Sequence, residues 1–229
     1  MKKKIKLILS IILFAVIAFS CEREDSDKVN QDTIFAEYEL FYNSNEDITY
    51  ARAIFHFSNI FGTRLELSAP SNVTFNGDQL LWKSGLAYYE KEYVGFVNSG
   101  TFVWTDTDGK SFTNPASINE IDYPAVGFDT LPKSASYELF WDGDSLAALE
   151  LVTVTIKGQV EGDVQVFTQA SPNATSIVLG LTKLSQLGSG SGTVWMERSY
   201  KPIPAEATSA GAIVTGRYRP LNKSIVIVD

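Results

Sequence analysis

From residue 33 onward, apolar and polar side chains alternate. Residues 49–58 are the clearest case, with Ala51, Ala53, Phe55 and Phe57 on one side and Tyr50, Arg52, Ile54 and His56 on the other. A period of two is the mark of a strand with one face buried. Residues 33–43 alternate in the same way, Ile34, Ala36, Tyr38, Leu40 and Tyr42 opposing Phe35, Glu37, Glu39 and Phe41. Further strands are predicted at 73–75, 79–82, 101–105, 110–113, 137–141, 148–157, 163–168, 176–179, 193–198, 212–218 and 224–228. Asn76-Gly77 and Asp106-Thr107-Asp108-Gly109 lie between such runs and tolerate the positive φ of tight hairpins. Trp141-Asp142-Gly143 reads as another turn. One short helix is predicted over 181–187, where Leu181, Leu184 and Leu187 recur every third residue.

Two prolines, Pro124 and Pro132, bracket a segment containing Gly127, which suits a linker or crossover. Each side of it has the length of an immunoglobulin-like sandwich, about 100 residues. The expected fold is all-β, with two tandem immunoglobulin-like β-sandwiches at 33–127 and 128–229. The alternative is one larger sandwich built from both halves, which share no convincing residue-level repeat. Any likeness to immunoglobulins is architectural, because the chain has one cysteine and no disulfide within it.

The first twenty residues break the alternation. Lys2, Lys3, Lys4 and Lys6 precede an uncharged apolar run of thirteen residues, 7–19. At 1.5 Å rise per residue, such a run is too short to cross about 30 Å of hydrocarbon, but it fits the apolar part of a secretory signal. Ala18-Phe19-Ser20-Cys21 closes it and resembles a lipobox. The small Ser20 fits the position before the cut, whereas Ala18 and Phe19 depart from the usual Leu and small residue. The chain thus resembles cell-envelope lipoproteins of Bacteroidota, in which looser lipoboxes are common. The resemblance implies cleavage between Ser20 and Cys21, triacylation of Cys21 and anchoring in the outer membrane. Two or more acyl chains hold a protein stably where one does so only marginally.

Residues 22–32 are polar, mostly acidic and without aromatics, so 21–32 is expected to be the lipidated cysteine with a flexible tether. Acids directly after the cysteine resemble surface-export signals of the same lipoproteins, which implies display outside the cell.

Without residues 1–20, which hold four lysines and no acid, 15 basic residues face 27 acidic ones, a net charge of −12. That charge favours solubility and argues against binding nucleic acid or an anionic surface electrostatically. A hydrophobic content of 45% is ample for real cores.

Candidate chemistry is sparse. His56 is the only histidine, lies mid-strand beside Arg52, and has no nucleophile motif or second histidine to work with. The Asp106–Gly109 segment lacks the later acids of a calcium loop and reads as a hairpin turn. Asp142 and Asp144 are the nearest carboxylate pair that a glycosidase-like hydrolase could use. Trp82, Tyr88, Tyr89 and Tyr93 are the candidate ligand-binding residues, since aromatics beside polar groups stack on sugars or anchor protein partners. Core packing accounts for most such strand aromatics, and the adjacent Tyr88 and Tyr89 must point to opposite faces. No cofactor or metal is expected. The sequence predicts a lipid-anchored, non-enzymatic binding or scaffold protein whose partner is a polysaccharide or an envelope protein. The alternatives are a carboxylate-dependent hydrolase and a periplasm-facing structural lipoprotein.

Overall fold

A computed structural model describes residues 23–160 and 162–229. Ser20, Cys21 and the apolar run before them lie outside the described residues. In chain order the first part forms β1 (Arg23–Asp25), β2 (Ile34–Asn43), β3 (Ile48–Phe57), β4 (Arg64–Glu66), β5 (Asn72–Phe75), β6 (Asp78–Gln79), β7 (Leu81–Lys83), β8 (Tyr88–Val94), β9 (Ser99–Thr105) and β10 (Ser111–Ser117). The rest forms β11 (Thr130–Pro132), β12 (Tyr137–Phe140), β13 (Glu150–Lys157), β14 (Val164–Gln169), β15 (Ser176–Leu179), the helical turn α1 (Leu181–Leu184), β16 (Gly190–Tyr200), β17 (Ala212–Arg219) and β18 (Lys223–Val228). The chain is all-β, as the alternation predicted, and folds as two sandwiches in tandem.

The two long alternating runs become the β2–β3 hairpin, in register from Ile34↔Phe57 to Asn43↔Ile48. Their inward residues bury Tyr38, Leu40, Ala53 and Phe55 against Phe75, Phe102 and Trp104 of the facing sheet, whose order is β10-β9-β5-β6. Ring contacts cross this core: Tyr38 on Phe102 at 5.2 Å and Phe55 on Trp104 at 5.0 Å. Asn76 and Gly77 both take positive φ and turn β5 into β6. Asp106 turns β9 into β10, its carboxylate accepting the N–H groups of Asp108 and Lys110. The Asp142-Gly143 turn is different: β12 pairs with β15, not with the next strand, and Asp142 bridges to Asp122.

In the second sandwich β14-β13-β16-β18 lie side by side, continuous through the antiparallel β16–β17 pairing (Arg198↔Tyr218 to Tyr200↔Gly216) with β2 and β3 of the first, with β11 added parallel to β18, and β12–β15 faces them. This is the immunoglobulin-like pattern of a C′-C-F-G sheet over a B-E pair. Its core holds Trp141, Val152, Val154, Ile156, Leu179, Met196 and Ile227.

Which residues belong to which core departs from a division at 127/128. Ile118 packs in the first core and Ile121 and Tyr123 in the second, so the change falls at Asn119 and Glu120. Pro124 and Pro132 bracket a loop and short strand within the second sandwich, because prolines mark turns wherever they fall. A larger departure is β17. It leaves the second sandwich between β16 and β18 and pairs parallel with β2, from Ala212↔Ala36 to Arg219↔Asn43. Val214 is thereby buried in the first core. The approach to β17 is pinned as well. Buried Asn114 of β10 accepts the N–H groups of Ala205 and Glu206 and donates to the Glu206 carbonyl, while Thr208 donates to the Ile34 carbonyl at 2.7 Å. Gly216 is required by close approach: a Cβ there would sit 1.7 Å from the Ser117 carbonyl oxygen.

The passage between sandwiches is clamped by a buried ion pair. Arg198 of β16 meets Glu150 of β13 at 2.6 Å and also donates to the Glu120, Asp144 and Ser145 carbonyls. Asn119 and the Ala147 N–H donate to the same carboxylate. Burial opposes ionisation of Glu150, but the Arg198, Asn119 and Ala147 donors outweigh it and hold the carboxyl below its usual value.

Residues 23–32, expected as a flexible tether, are docked. β1 pairs with β4, Ser26 is fully buried and accepts the Ser68 N–H, and the Gln31 amide donates to the Ser26 and Val29 carbonyls. An apolar-poor segment is ordered here because an existing strand edge offers backbone hydrogen bonds.

Two stability measurements check this architecture. Gly216→Ala is expected to cost at least about 2–3 kcal/mol in denaturant unfolding, because the added carbon meets backbone and cannot be accommodated by a rotamer change. Arg198→Ala is expected to cost about 3–5 kcal/mol near neutral pH, by stranding a buried carboxylate. Since the Glu150 pKa is lowered on folding, its stabilisation is full above the unfolded value of 4.5 and is lost as pH falls through the lower folded value. The Arg198→Ala penalty should therefore shrink as pH falls from 4.5 through the folded value.

Candidate functional site

The outer face of the first sandwich carries a groove of about 420 Å³. Its walls come from four strands: Ile213 and Thr215 of β17, Glu37 and Glu39 of β2, Arg52 and Ile54 of β3, and Tyr88 of β8, with Leu86 on the turn before it. The strands lie side by side in the order β17-β2-β3-β8, and strict alternation brings these side chains to the same face.

Charge on this face is arranged as a ladder. Glu197 of β16 lies 3.5 Å from Arg217, Arg217 lies 3.3 Å from Glu39, and Glu39 lies 3.3 Å from Arg52. Arg52 continues to Glu90 at 2.7 Å, and Glu90 to Lys83 at 3.5 Å. Glu37 bonds to His56 at 2.6 Å, and the other ring nitrogen of His56 faces the Gly62 carbonyl at 3.1 Å. Every groove carboxylate thus has a basic partner. The arginines also cover rings: Arg217 lies 4.3 Å from the Phe41 centroid, and Arg52 lies 4.3 Å from Tyr50 and 5.6 Å from Tyr88. Burial, and then the Glu90 charge, raises the Tyr88 hydroxyl above the usual phenol value. The Tyr50 hydroxyl, bonded to Glu46, is pushed up to about 12 by that bond and by burial. Both remain neutral hydrogen-bond donors at physiological pH.

The four aromatic residues singled out in the sequence are not brought together. Tyr88 alone faces the groove. Tyr89 is buried and its hydroxyl accepts the Leu67 N–H; Trp82 packs on it at 4.9 Å. Tyr93 packs on Phe75, with its hydroxyl donating to the Phe75 carbonyl. The groove residues that sequence reasoning missed are Glu37, Glu39, Ile54, Leu86, Ile213 and Thr215. Their shared signal was an outward position on an alternating strand, which does not say which strands are neighbours.

Asp142 and Asp144 are both exposed and lie outside the groove. His56 is buried in its bond with Glu37. Among the described residues no three His, Cys, Asp or Glu side chains come together in a group able to hold a metal ion. A shallower hollow of about 550 Å³ on the second sandwich is lined by Ser191, Gly192, Thr193 and Ser224 with Asp129 and Lys157, and offers no aromatic ring.

No protein-family model matches the chain, and no curated protein is similar to it in sequence. Among solved structures it is similar to a tetra-tandem repeat in the extending region of a large adhesion protein, at 14% identity and a TM-score of 0.27, covering 84% of this chain and 49% of that one. It is also similar to the FN1–FN3 domains of chicken CNTN1, at 10% identity and a TM-score of 0.28, covering 77% of this chain and 60% of that one. A third is a 1.5-MDa bacterial ice-binding adhesin, at 11% identity and a TM-score of 0.23, covering 85% and 64%. The chain spans about half to two thirds of the length of these structures. At such overlaps the fold rests on this chain's own strand order. Among the described residues no helix is long and apolar enough to cross a membrane.

Two substitutions distinguish the groove's charge ladder from its exposed ring. Arg52→Ala is expected to cost about 2–4 kcal/mol in thermal or denaturant unfolding, because it removes the 2.7 Å partner of the buried Glu90 carboxylate and leaves it the longer contacts with Lys83 and the Tyr88 hydroxyl. Tyr88→Ala, at a half-exposed site, is expected to cost under about 1 kcal/mol.

Proposed function

We propose that this is a lipid-anchored cell-envelope protein that works by binding rather than by catalysis. In this reading Cys21 is acylated after cleavage behind Ser20, and the two sandwiches stand on the outer membrane facing outward. The groove beside Tyr88 takes an envelope polysaccharide or protein. The observation that carries the reading is that each groove carboxylate is bonded to a basic side chain, while a tyrosine ring and the apolar groups of Ile54, Leu86 and Ile213 stay at the surface. A glycosidase needs two carboxyl groups free to act as acid and as base or nucleophile. A contact site needs a ring, an apolar floor and fixed polar groups, and those are present. The strand exchanged between sandwiches makes the whole a stiff support, which suits a scaffold that holds a surface in place.

Protease shaving of intact cells tests the location, with a periplasmic protein as control. Loss of both sandwiches while the control survives is the expected outcome; protection until the cells are broken would overturn surface display and favour a periplasmic role. A glycan array probed with the mature protein and with Tyr88→Ala tests the groove. Binding weakened at least about tenfold by the substitution is expected for a stacked sugar, whereas binding unaffected by it would place the ligand elsewhere.

A further inference from the structure

We propose that the turn between β3 and β4, residues 58–63, is a membrane-contact site that seats Phe61 and Ile60 in the lipid interface. The inference rests on acylation of Cys21, proposed above, and adds a second point of attachment to it.

Phe61 is 93% exposed, and Phe57 and Ile60 are exposed beside it. A large apolar side chain in water is unremarkable on a loose loop, but this turn is fixed. Phe57 donates its N–H to the Thr63 carbonyl, Ser58 to Thr33, Asn59 to Phe57, and Gly62 to Asn59. The Phe61 N–H donates to the Asn59 side chain at 2.9 Å. Gly62 is held so close that a Cβ would sit 1.7 Å from the Phe57 carbonyl oxygen. The turn therefore presents the Phe61 ring to solvent in a set position, and Phe61 is not part of the first core.

The position of the turn says what covers it. β1 runs parallel to β4, with Arg23 opposite Arg64, so the chain enters β1 from the side on which β4 begins, next to the turn. Cys21 is two residues earlier, and two residues span at most about 7 Å. Acyl chains on Cys21 would therefore emerge within reach of Phe61. Residues 23–32 are docked, so the described chain is already fixed to the sandwich where β1 begins. The mature charge of −12 gives no general electrostatic pull toward an anionic surface. An apolar contact is what this end offers, and tethering raises its effective concentration enough for one or two side chains to matter.

The test uses the full chain, purified from membranes and reconstituted in vesicles of phosphatidylethanolamine and phosphatidylglycerol. Cys21 is the one cysteine and its sulfur is blocked when acylated, so Phe61→Cys supplies a single thiol for an environment-sensitive fluorophore. Val160→Cys, at a site 63% exposed on the turn after β13, is the control. Iodide quenching of the label at position 61 is expected to be weaker than at position 160 by about threefold or more, with emission shifted to the blue. Equal quenching at the two positions, with acyl chains found on the N-terminal peptide by mass spectrometry, would overturn the lipid contact and leave the turn to a protein partner. A peptide without acyl chains, and protein that does not sediment with membranes, would overturn the anchor itself and this inference with it.

Discussion

Eight residues of β17 lie parallel to β2, and the rest of the molecule depends on that pairing. Without it β2 would be an open edge, with a row of unpaired backbone groups beside a buried apolar face. Thr208 and Ile34, which meet just before the paired strands, are 174 residues apart in sequence. Closing such a loop costs entropy before any contact returns it, so the strand must be held by more than its ladder. Asn114, Thr208 and the close approach of Gly216 to β10 provide that hold. One strand thus completes the first sandwich, covers its edge and ties it to the second.

The same strand builds the grooved outer face. Ile213 and Thr215 form one wall of the groove, and Arg217 is the rung that joins Glu197 of the second sandwich to Glu39 of the first. The ladder that follows alternates in sign from strand to strand. Opposite charges side by side on neighbouring strands stabilise the sheet modestly each, and a network does more than isolated pairs. It also fixes the polar groups, so that the variable contact on this face falls to Tyr88 and the apolar side chains around it.

The two ends of the chain's business are separate. The docked segment 23–32 and the turn bearing Phe61 lie at one end of the first sandwich. The buried Arg198–Glu150 pair fixes the passage to the second sandwich, so the placement of that sandwich on the first is set by packing and not by a linker.

Local features were legible in the sequence. Alternation placed β2, β3, β13 and β17 almost to the residue, Asn76-Gly77 gave a hairpin, and the opposite facing of Tyr88 and Tyr89 followed from period two alone. The lysine-rich start, the apolar run and Cys21 gave the expectation of a lipid anchor. Only the tertiary structure decided that β17 pairs with β2, that the cores change at Asn119 and Glu120, that Trp82 and Tyr93 pack inward, and that the acidic segment docks. The reason is physical. Side-chain period and turn chemistry act over a few residues and are written locally. Every strand offers the same backbone N–H and C=O groups, so the choice of neighbour is settled by packing between segments far apart in the chain.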